Sequence, residues 1–383
     1  MVKAVGTDSG TKSMDLFGFD DKSEEIFLDE SIPRDRITKN PEIVVEKLDE
    51  VQEEHGRLDC IAASSGYGVP CKRARDTSIE EINLATFMTQ KDLERRLKIV
   101  GLRELMMVMR RADELDVYFT PGVIQLPTVP QHRKANKIDL GTSDKVYTAA
   151  LAVKDRAERH SIDCSGTDLI AVEIGFAYTS AMAVERGQIV DGMAGTAGFP
   201  GYMGLGFMDS ELSYALGNTH KELSKTSIFQ GGSAHVAGLD PLKTEIEEFV
   251  RLSERDERVR RGYEMMLEAV AKDVASLLPA VKPREIALSG RFTRIPKFMR
   301  DVRVKLGNLF REDERAPEIV TLQPTGKVCK EAAEGAAVIA NGIAGGKHEK
   351  IVETMKIRES RGSIFDHLYL GERCAEKLET FKE

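Results

Sequence analysis

The sequence has little of what disulfide-rich, metal-binding or membrane proteins need. Its five cysteines, Cys60, Cys71, Cys164, Cys329 and Cys374, are odd in number, scattered, and never form a CxxC pair. That usage argues for reduced thiols in a cytoplasm rather than a disulfide frame. The seven histidines include no HxxH or HExxH spacing, so there is no transition-metal signature. No run approaches the length of about 18 apolar residues that a membrane span requires. The first residues lack the basic-then-apolar pattern of a secretory signal, and the expected location is cytoplasmic. Positive charge is also short. A net charge of −8 excludes a general nucleic-acid or anionic-membrane binder, though not a local basic pocket for a phosphorylated ligand. Neither a GxxxxGK[ST] loop nor an HRD/DFG set occurs.

What is present describes an ordinary globular protein too long for one core. With 383 residues, 41% hydrophobic and 31% charged, two domains or one duplicated domain is expected. Three short strands are predicted near 2–7, 13–19 and 25–28, followed by a helix over NPEIVVEKLDEVQEEHG and a buried strand in LDCIAASSG. Residues 78–115 read as helical, with a stripe at Leu84, Phe87, Met88, Leu93, Leu97, Val100, Leu105 and Val108. VYFTPGVIQLPTVP is extended because its prolines forbid a helix, and SDKVYTAALAVKDRAERHS is a helix with a seam at Val146, Ala149, Ala150 and Val153. Further on come helices over 241–278, a strand–turn–helix in REIALSGRFTRIPKFMRDV, a strand in EIVTLQ and an Ala-rich helix stopped by glycines in EGAAVIANGIAGG. The tail from about 347 is polar and helical, with little core signal.

One pattern occurs twice. AVGTDSGTKSMDLFGFDDK and IAVEIGFAYTSAMAVERGQ each run from an apolar strand into an acid, Asp8 or Glu173, with Gly10 or Gly175 two residues on. Hydroxyls follow, Thr11 and Ser13 or Thr179 and Ser180, and then a second apolar strand. Two such units, 165 residues apart, predict a duplicated α/β fold with a cleft between its halves. The second copy also precedes GMAGTAGFPGYMGLGFMDSE, whose glycines suit either close approach to a ligand or a long mobile connection.

These pieces match the needs of a phosphotransferase. Tight Gly/Ser/Thr hairpins offer N–H groups and hydroxyls to phosphates, and carboxylates hold Mg²⁺ through water or activate an acceptor. Asp8, with Thr11 and Ser13, is the candidate Mg²⁺-facing acid, against the alternative of an ordinary capped turn. Glu173 is costly at the end of an apolar strand unless it is paired or lines a cleft. Ser289 and Gly290, at a strand–helix junction, could pack on a nucleoside without side-chain obstruction. Asp139 precedes a helix whose N-cap is better given to Thr142 or Ser143, which leaves it as a candidate base; Lys145 could neutralise phosphate from the first turn. Tyr67, Lys72, Arg73 and Arg75 could meet an anionic acceptor, with a charged loop as the plainer reading.

GTDSGTKSMDL resembles the first phosphate motif of the superfamily that contains acetate and sugar kinases, actin and the heat-shock ATPases. AVEIGFAYTSAMAVERGQIVD resembles its second, in the acetate and butyrate kinase version. IALSGRFTRIPKF, with Ser289, Gly290 and Arg291, sits where that superfamily has its adenosine motif, and EGAAVIANGIAGG resembles its closing helix. With KANKIDLGTSDK, the chain is similar to the archaeal predicted butyrate kinases over about residues 1–345. The resemblance implies an α/β fold of duplicated ribonuclease H-like (actin-like ATPase) domains over 1–160 and 161–346, with a polar helical tail over 347–383. It implies ATP held by Asp8, Gly10, Thr11, Ser13, Gly175, Thr179, Ser180, Ser289, Gly290 and Arg291, and Mg²⁺ near Asp8 and Glu173. Asp139, Glu173 and Arg75 would face the acceptor, a small molecule such as a short carboxylic acid, with neither nucleic acid nor membrane as partner; a homodimer is one assembly it allows. The departures are specific. Acetate and butyrate kinases have Asn where this chain has Asp8, and His where it has Glu173; the Gly-Glu-Asn of their last motif is Gly290-Arg291-Phe292 here. Their carboxylate-binding Arg motif is absent, and SSGYGVPCKRARD takes its place. Two readings stand: an ATP-dependent small-molecule kinase, or an ATP-binding switch of the same fold without an acceptor.

Overall fold

The computed structural model describes residues 1–89, 92, 94, 101–219, 225–312, 315–372, 376 and 378–382. Leu93, Leu97 and Val100 of the expected stripe, and Cys374, lie outside the described residues. The chain forms two compact units. The first comprises 1–167, 184–191 and 322–383, and the second 168–183 and 192–321.

The first unit is built on six strands: β1 (Lys3–Ser9), β2 (Ser13–Asp20), β3 (Ile26–Pro33), β4 (Cys60–Ala63), β5 (Gly68–Arg73) and β6 (Val117–Pro121). Their order is β3-β2-β1-β4-β6-β5. β1, β2 and β3 form an antiparallel meander, β4 runs parallel to β1 and β6 parallel to β4, and β5 folds back antiparallel on β6. β5 was not legible in sequence. Pro70 within it is tolerated because an edge strand has one row of unpaired backbone groups. Alternate residues of β1 face opposite layers. Val5 joins a core with Leu16, Leu48, Ile61, Leu105 and Phe119, on the side of the helices Ile43–His55 and Gly101–Arg110. Gly6, its neighbour, faces the closing helix Glu331–Ile343, where an added Cβ would fall 2.1 Å from the backbone nitrogen of Ala337.

All thirteen residues of that closing helix are buried. Small side chains are what let it lie between β1 and the helix Ser143–His160: a Cβ on Gly335 would meet the Tyr147 carbonyl oxygen at 2.1 Å. This helix and the tail, expected outside the first half, belong to the first unit. The tail also carries core. Ile351, Val352, Met355, Ile357 and Ile364 are buried, isolated apolar residues whose signal is diluted by polar neighbours.

The second sheet consists of β7 (Leu169–Ile174), β8 (Thr179–Glu185), β9 (Gln188–Ala194), β10 (Glu285–Ser289) and β11 (Glu318–Thr321), in the order β11-β10-β7-β8-β9; residues 184–191, the end of β8 and the start of β9, fall in the first unit and the rest in the second. β10 is parallel to both β7 and β11. β8 and β9 join through Arg186 and Gly187, both at positive φ (51° and 72°), the backbone of a two-residue hairpin turn. Read from the edge inward, each sheet has its third, second and first strand and then its fourth, which is the duplication expected from the repeated motif. Among the described residues no helix is long and apolar enough to cross a membrane.

Candidate functional site

In the first unit the loops after β1, β4 and β6 and the start of the helix Ser143–His160 converge. The Ser9 amide donates to Ser64 Oγ (2.9 Å), and Ser64 Oγ donates to the Thr7 carbonyl (2.9 Å). The Ser65 amide donates to Ser143 Oγ (3.0 Å), and the Ser143 amide to the Gly66 carbonyl (2.9 Å). The carboxyl ends of parallel strands in an open α/β sheet are where such folds bind ligands.

Acids and cations gather there. Asp8 is buried near the end of β1, and Lys330 Nζ lies against its Oδ2. The same ammonium is 3.5 Å from Asp15 Oδ2, across the β1–β2 ladder. Asp15 also accepts from Ser13 Oγ (3.0 Å), Ser31 Oγ (2.7 Å) and the Lys330 amide (3.0 Å). Asp144, in the first helical turn after the N-cap Thr142, is paired with Lys145 at 2.5 Å. Arg34 reaches Ser9 Oγ at 2.5 Å. Burial raises the Asp8 carboxyl; Lys330 opposes this, Asp144 and Asp15 add to it, and the net direction is up. Burial also raises Asp144, but Lys145, the Thr142 hydroxyl and Lys330 outweigh it and hold this carboxyl below the usual range. Gly10 lies beside Lys330, and Thr11 is exposed at the turn.

Asp139 is buried in the loop before the helix, its Oδ1 accepting from the Gly141 amide at 3.1 Å. The Gly141 carbonyl in turn accepts from Val123, just past β6, so Asp139 belongs to the same end of the sheet. Arg75 does not. It is exposed and lines a cleft with Arg57, Arg73, Asp113 and Asp116, next to the amino end of β6. β5 runs antiparallel to β6, so the chain leaving it is carried away from the carboxyl ends. The other basic residues there are engaged as well: Lys72 with Glu81 (2.5 Å), and Arg73 with Tyr118 (3.2 Å) and Asp116 (3.5 Å).

The second unit arranges the echoed motif differently. Glu173 is half-buried near the end of β7, in register with Ser289 of β10. Ser289 Oγ donates to the Val172 carbonyl (3.0 Å). Gly290 holds φ at 94°, and a Cβ there would come 2.6 Å from the Ile174 carbonyl oxygen, so only glycine turns the chain this close to β7. Arg291, half-buried, opens the short turn that follows. The Gly175 amide closes its own hairpin on the Tyr178 carbonyl (3.0 Å). Thr179 Oγ1 donates to Asp273 Oδ2 (2.8 Å), and Asp273 Oδ1 accepts from the Phe199 amide (2.9 Å). Burial pushes the Asp273 carboxyl up to about 7 against the pull of those two donors. The Gly-rich segment is therefore laid on the hairpin rather than left loose: Gly204 donates to the Ala177 carbonyl (2.8 Å) and Gly195 to that of Thr179 (3.3 Å). Ser180 Oγ is buried with no partner among the described residues.

Two expected phosphate hydroxyls thus have another use. Ser13 donates to Asp15 and Thr179 to Asp273, and a hydroxyl proton given to a carboxylate is not available to a phosphate oxygen. Lys330, Asp144, Asp15 and Arg34 were missed in the first unit, and Asp273 in the second. Asp144 had a signal, an acid in a helical first turn. So had Asp273, an acid on the apolar stripe of the helix Glu257–Leu277, between Val270 and Leu277.

The class defined by this architecture is the duplicated ribonuclease H-like, actin-like ATPase fold. A propionate kinase from Francisella tularensis subsp. tularensis SCHU S4 superposes with a TM-score of 0.63 at 14% identity, covering 88% of this chain and 99% of that one. Porphyromonas gingivalis acetate kinase gives 0.61 at 12% identity, over 90% and 100%. The Entamoeba histolytica acetate kinase gives 0.54 at 11%, over 83% and 95%. No curated protein sequence matches the chain. The chain belongs to the family described as "Protein of unknown function (DUF1464)", whose model matches residues 6–370.

Proposed function

We propose that the protein is an ATP-dependent small-molecule kinase acting on a short carboxylic acid, as a butyrate kinase does. The observation that carries this reading is the charged group at the carboxyl end of β1, where Asp8, Lys330 and Asp144 surround the GTDSGTKS turn. A fold shared with propionate and acetate kinases supports it. Phosphoryl transfer asks a protein mainly for alignment and charge neutralisation, which such a group supplies. ATP phosphates would meet the Gly10–Thr11 backbone and the Lys330 ammonium of the first unit. The donors at Asp8 and Asp144 are hard carboxylate oxygens without sulfur or imidazole, which fits Mg²⁺; such an ion needs one or two carboxylates and keeps its other waters. When bound, that ion neutralises phosphate charge. Asp144 is the second carboxylate, and Asp139, rather than Arg75, orients the acceptor.

A switch without an acceptor remains the second reading, because the basic residues of SSGYGVPCKRARD are engaged away from the carboxyl ends. Calorimetry with Mg·ATP, then a hydroxylamine trap for acyl phosphate with acetate, propionate and butyrate, separates the two. Binding with acid-dependent acyl phosphate supports the kinase. Binding with slow, acceptor-independent hydrolysis supports the switch, and no binding at millimolar nucleotide removes both.

A further inference from the structure

Lys330 is 322 residues from Asp8 in sequence, yet its ammonium sits on that carboxylate. The approach is built by the loop before it. Asp29 accepts the backbone N–H groups of Lys327 (2.6 Å), Val328 (3.0 Å) and Cys329 (2.8 Å), and the amide of Lys330 itself is 3.0 Å from Asp15 Oδ2. The side chain then passes Gly10, where a Cβ would come within 2.6 Å of Nζ. It ends 16% exposed, against Asp8 and 3.5 Å from Asp15, and it also lowers the Asp144 carboxyl. One ammonium therefore serves three carboxylates.

We propose that Lys330 is an internal counter-ion that keeps divalent metal off Asp8 while the site holds no nucleotide. A triphosphate, with more negative charge than one carboxylate, draws the ammonium to itself and frees Asp8 for the ion that arrives with it. The second half of this statement rests on the kinase reading; the exclusion of metal stands on the geometry of the first unit. An ion entering beside Asp8 meets a fixed positive charge at contact range in a half-buried site, where such charges are weakly screened.

The test uses Mn²⁺ alone on nucleotide-free protein, with the free ion counted by electron paramagnetic resonance. Lys330→Gln and Lys330→Met are expected to bind Mn²⁺ at least tenfold more tightly than wild type. The gain should vanish in Asp8→Asn/Lys330→Gln, and Lys330→Arg should exclude the ion as wild type does. Equal affinity in wild type and Lys330→Gln overturns the proposal, as does a gain that survives loss of Asp8 or appears in Lys330→Arg. The Gln variant can still donate a hydrogen bond to Asp8, so it decides the matter if the Met variant does not fold. Failure of ATP to bind in calorimetry would remove the kinase reading and leave the Mn²⁺ comparison standing.

Discussion

Asp8 and Asp15 stand directly opposite one another across the β1–β2 ladder, and one lysine, Lys330, reaches both carboxylates. Like charges facing across a ladder destabilise it, so the pair persists because of what surrounds it. The two acids have separable roles. Asp15 is committed to Ser13, Ser31 and the Lys330 amide, whereas Asp8 lies at the end of β1, before the turn that contains Gly10 and Thr11.

Asp8→Asn and Asp15→Asn should therefore fail in different assays. Asp8 has a folded pKa above its unfolded value, so the stability it contributes is present at low pH and lost as pH rises. Asp8→Asn is expected to be at least as stable as wild type at pH 8 in urea, while Mg·ATP affinity by calorimetry falls tenfold or more. Asp15→Asn is expected to lose about 2 kcal/mol in the same melts, because donors to a charged acceptor lose it.

Asp273 predicts a pH dependence of stability. Its folded pKa is pushed up to about 7, well above the ordinary carboxylate value of 3.8. The folded state thus holds the proton more tightly, and the contribution is fully present below about pH 4 and lost as pH rises through about 7. The span is on the order of 4 kcal/mol. Asp273→Asn keeps an acceptor for the Phe199 amide and lets the Thr179 hydroxyl accept instead of donate. Urea melts at pH 5 and pH 8 should differ less in this variant than in wild type; an unchanged difference would exclude Asp273 as its source.

Gly335→Ala tests the seat of the closing helix. In an exposed helix this change would add roughly 1 kcal/mol of stability. Here the new Cβ meets the Tyr147 carbonyl oxygen at 2.1 Å, so the helix must move away from its neighbour. A net loss of about 2–3 kcal/mol in denaturant melts is expected. A gain would show that the two helices are not held at this distance.

Arg75 and Asp144 give opposite expectations for activity. Arg75 lies by the amino end of β6, and Arg75→Ala should leave ATP turnover within about twofold of wild type. Asp144→Asn should lower kcat by about a hundredfold, the usual scale for removing a preorganised charge from a reacting site. Coupled ADP-release assays on both variants provide the comparison, and a large loss in Arg75→Ala would return it to the site.

Much of this was legible in residue order because it is local. Asp8 and Glu173 end apolar strands, and the turns after them contain the glycines and hydroxyls that tight hairpins require. The helix Ser143–His160 follows from spacing, and its N-cap Thr142 is one of the two candidates read there, although its hydroxyl makes no capping hydrogen bond. The register of two similar motifs was enough to anticipate duplicated sheets, since each hairpin dictates its own pairing.

Partnership was not local. Whether the Ser13 and Thr179 hydroxyls serve a phosphate or a buried acid depends on Asp15 and Asp273, and for Thr179 that acid lies 94 residues away. The place of Arg75 was decided by β5 reversing direction beside β6, and that of the closing helix by a slot only small residues can enter. The sequence by itself determined two acid-bearing turns on duplicated strands, because strand period and turn chemistry act over a few residues. Only the tertiary structure decided that Lys330 neutralises Asp8, because a charge pair bridging 322 residues exists once the chain has brought the helix Glu331–Ile343 back against its first strand.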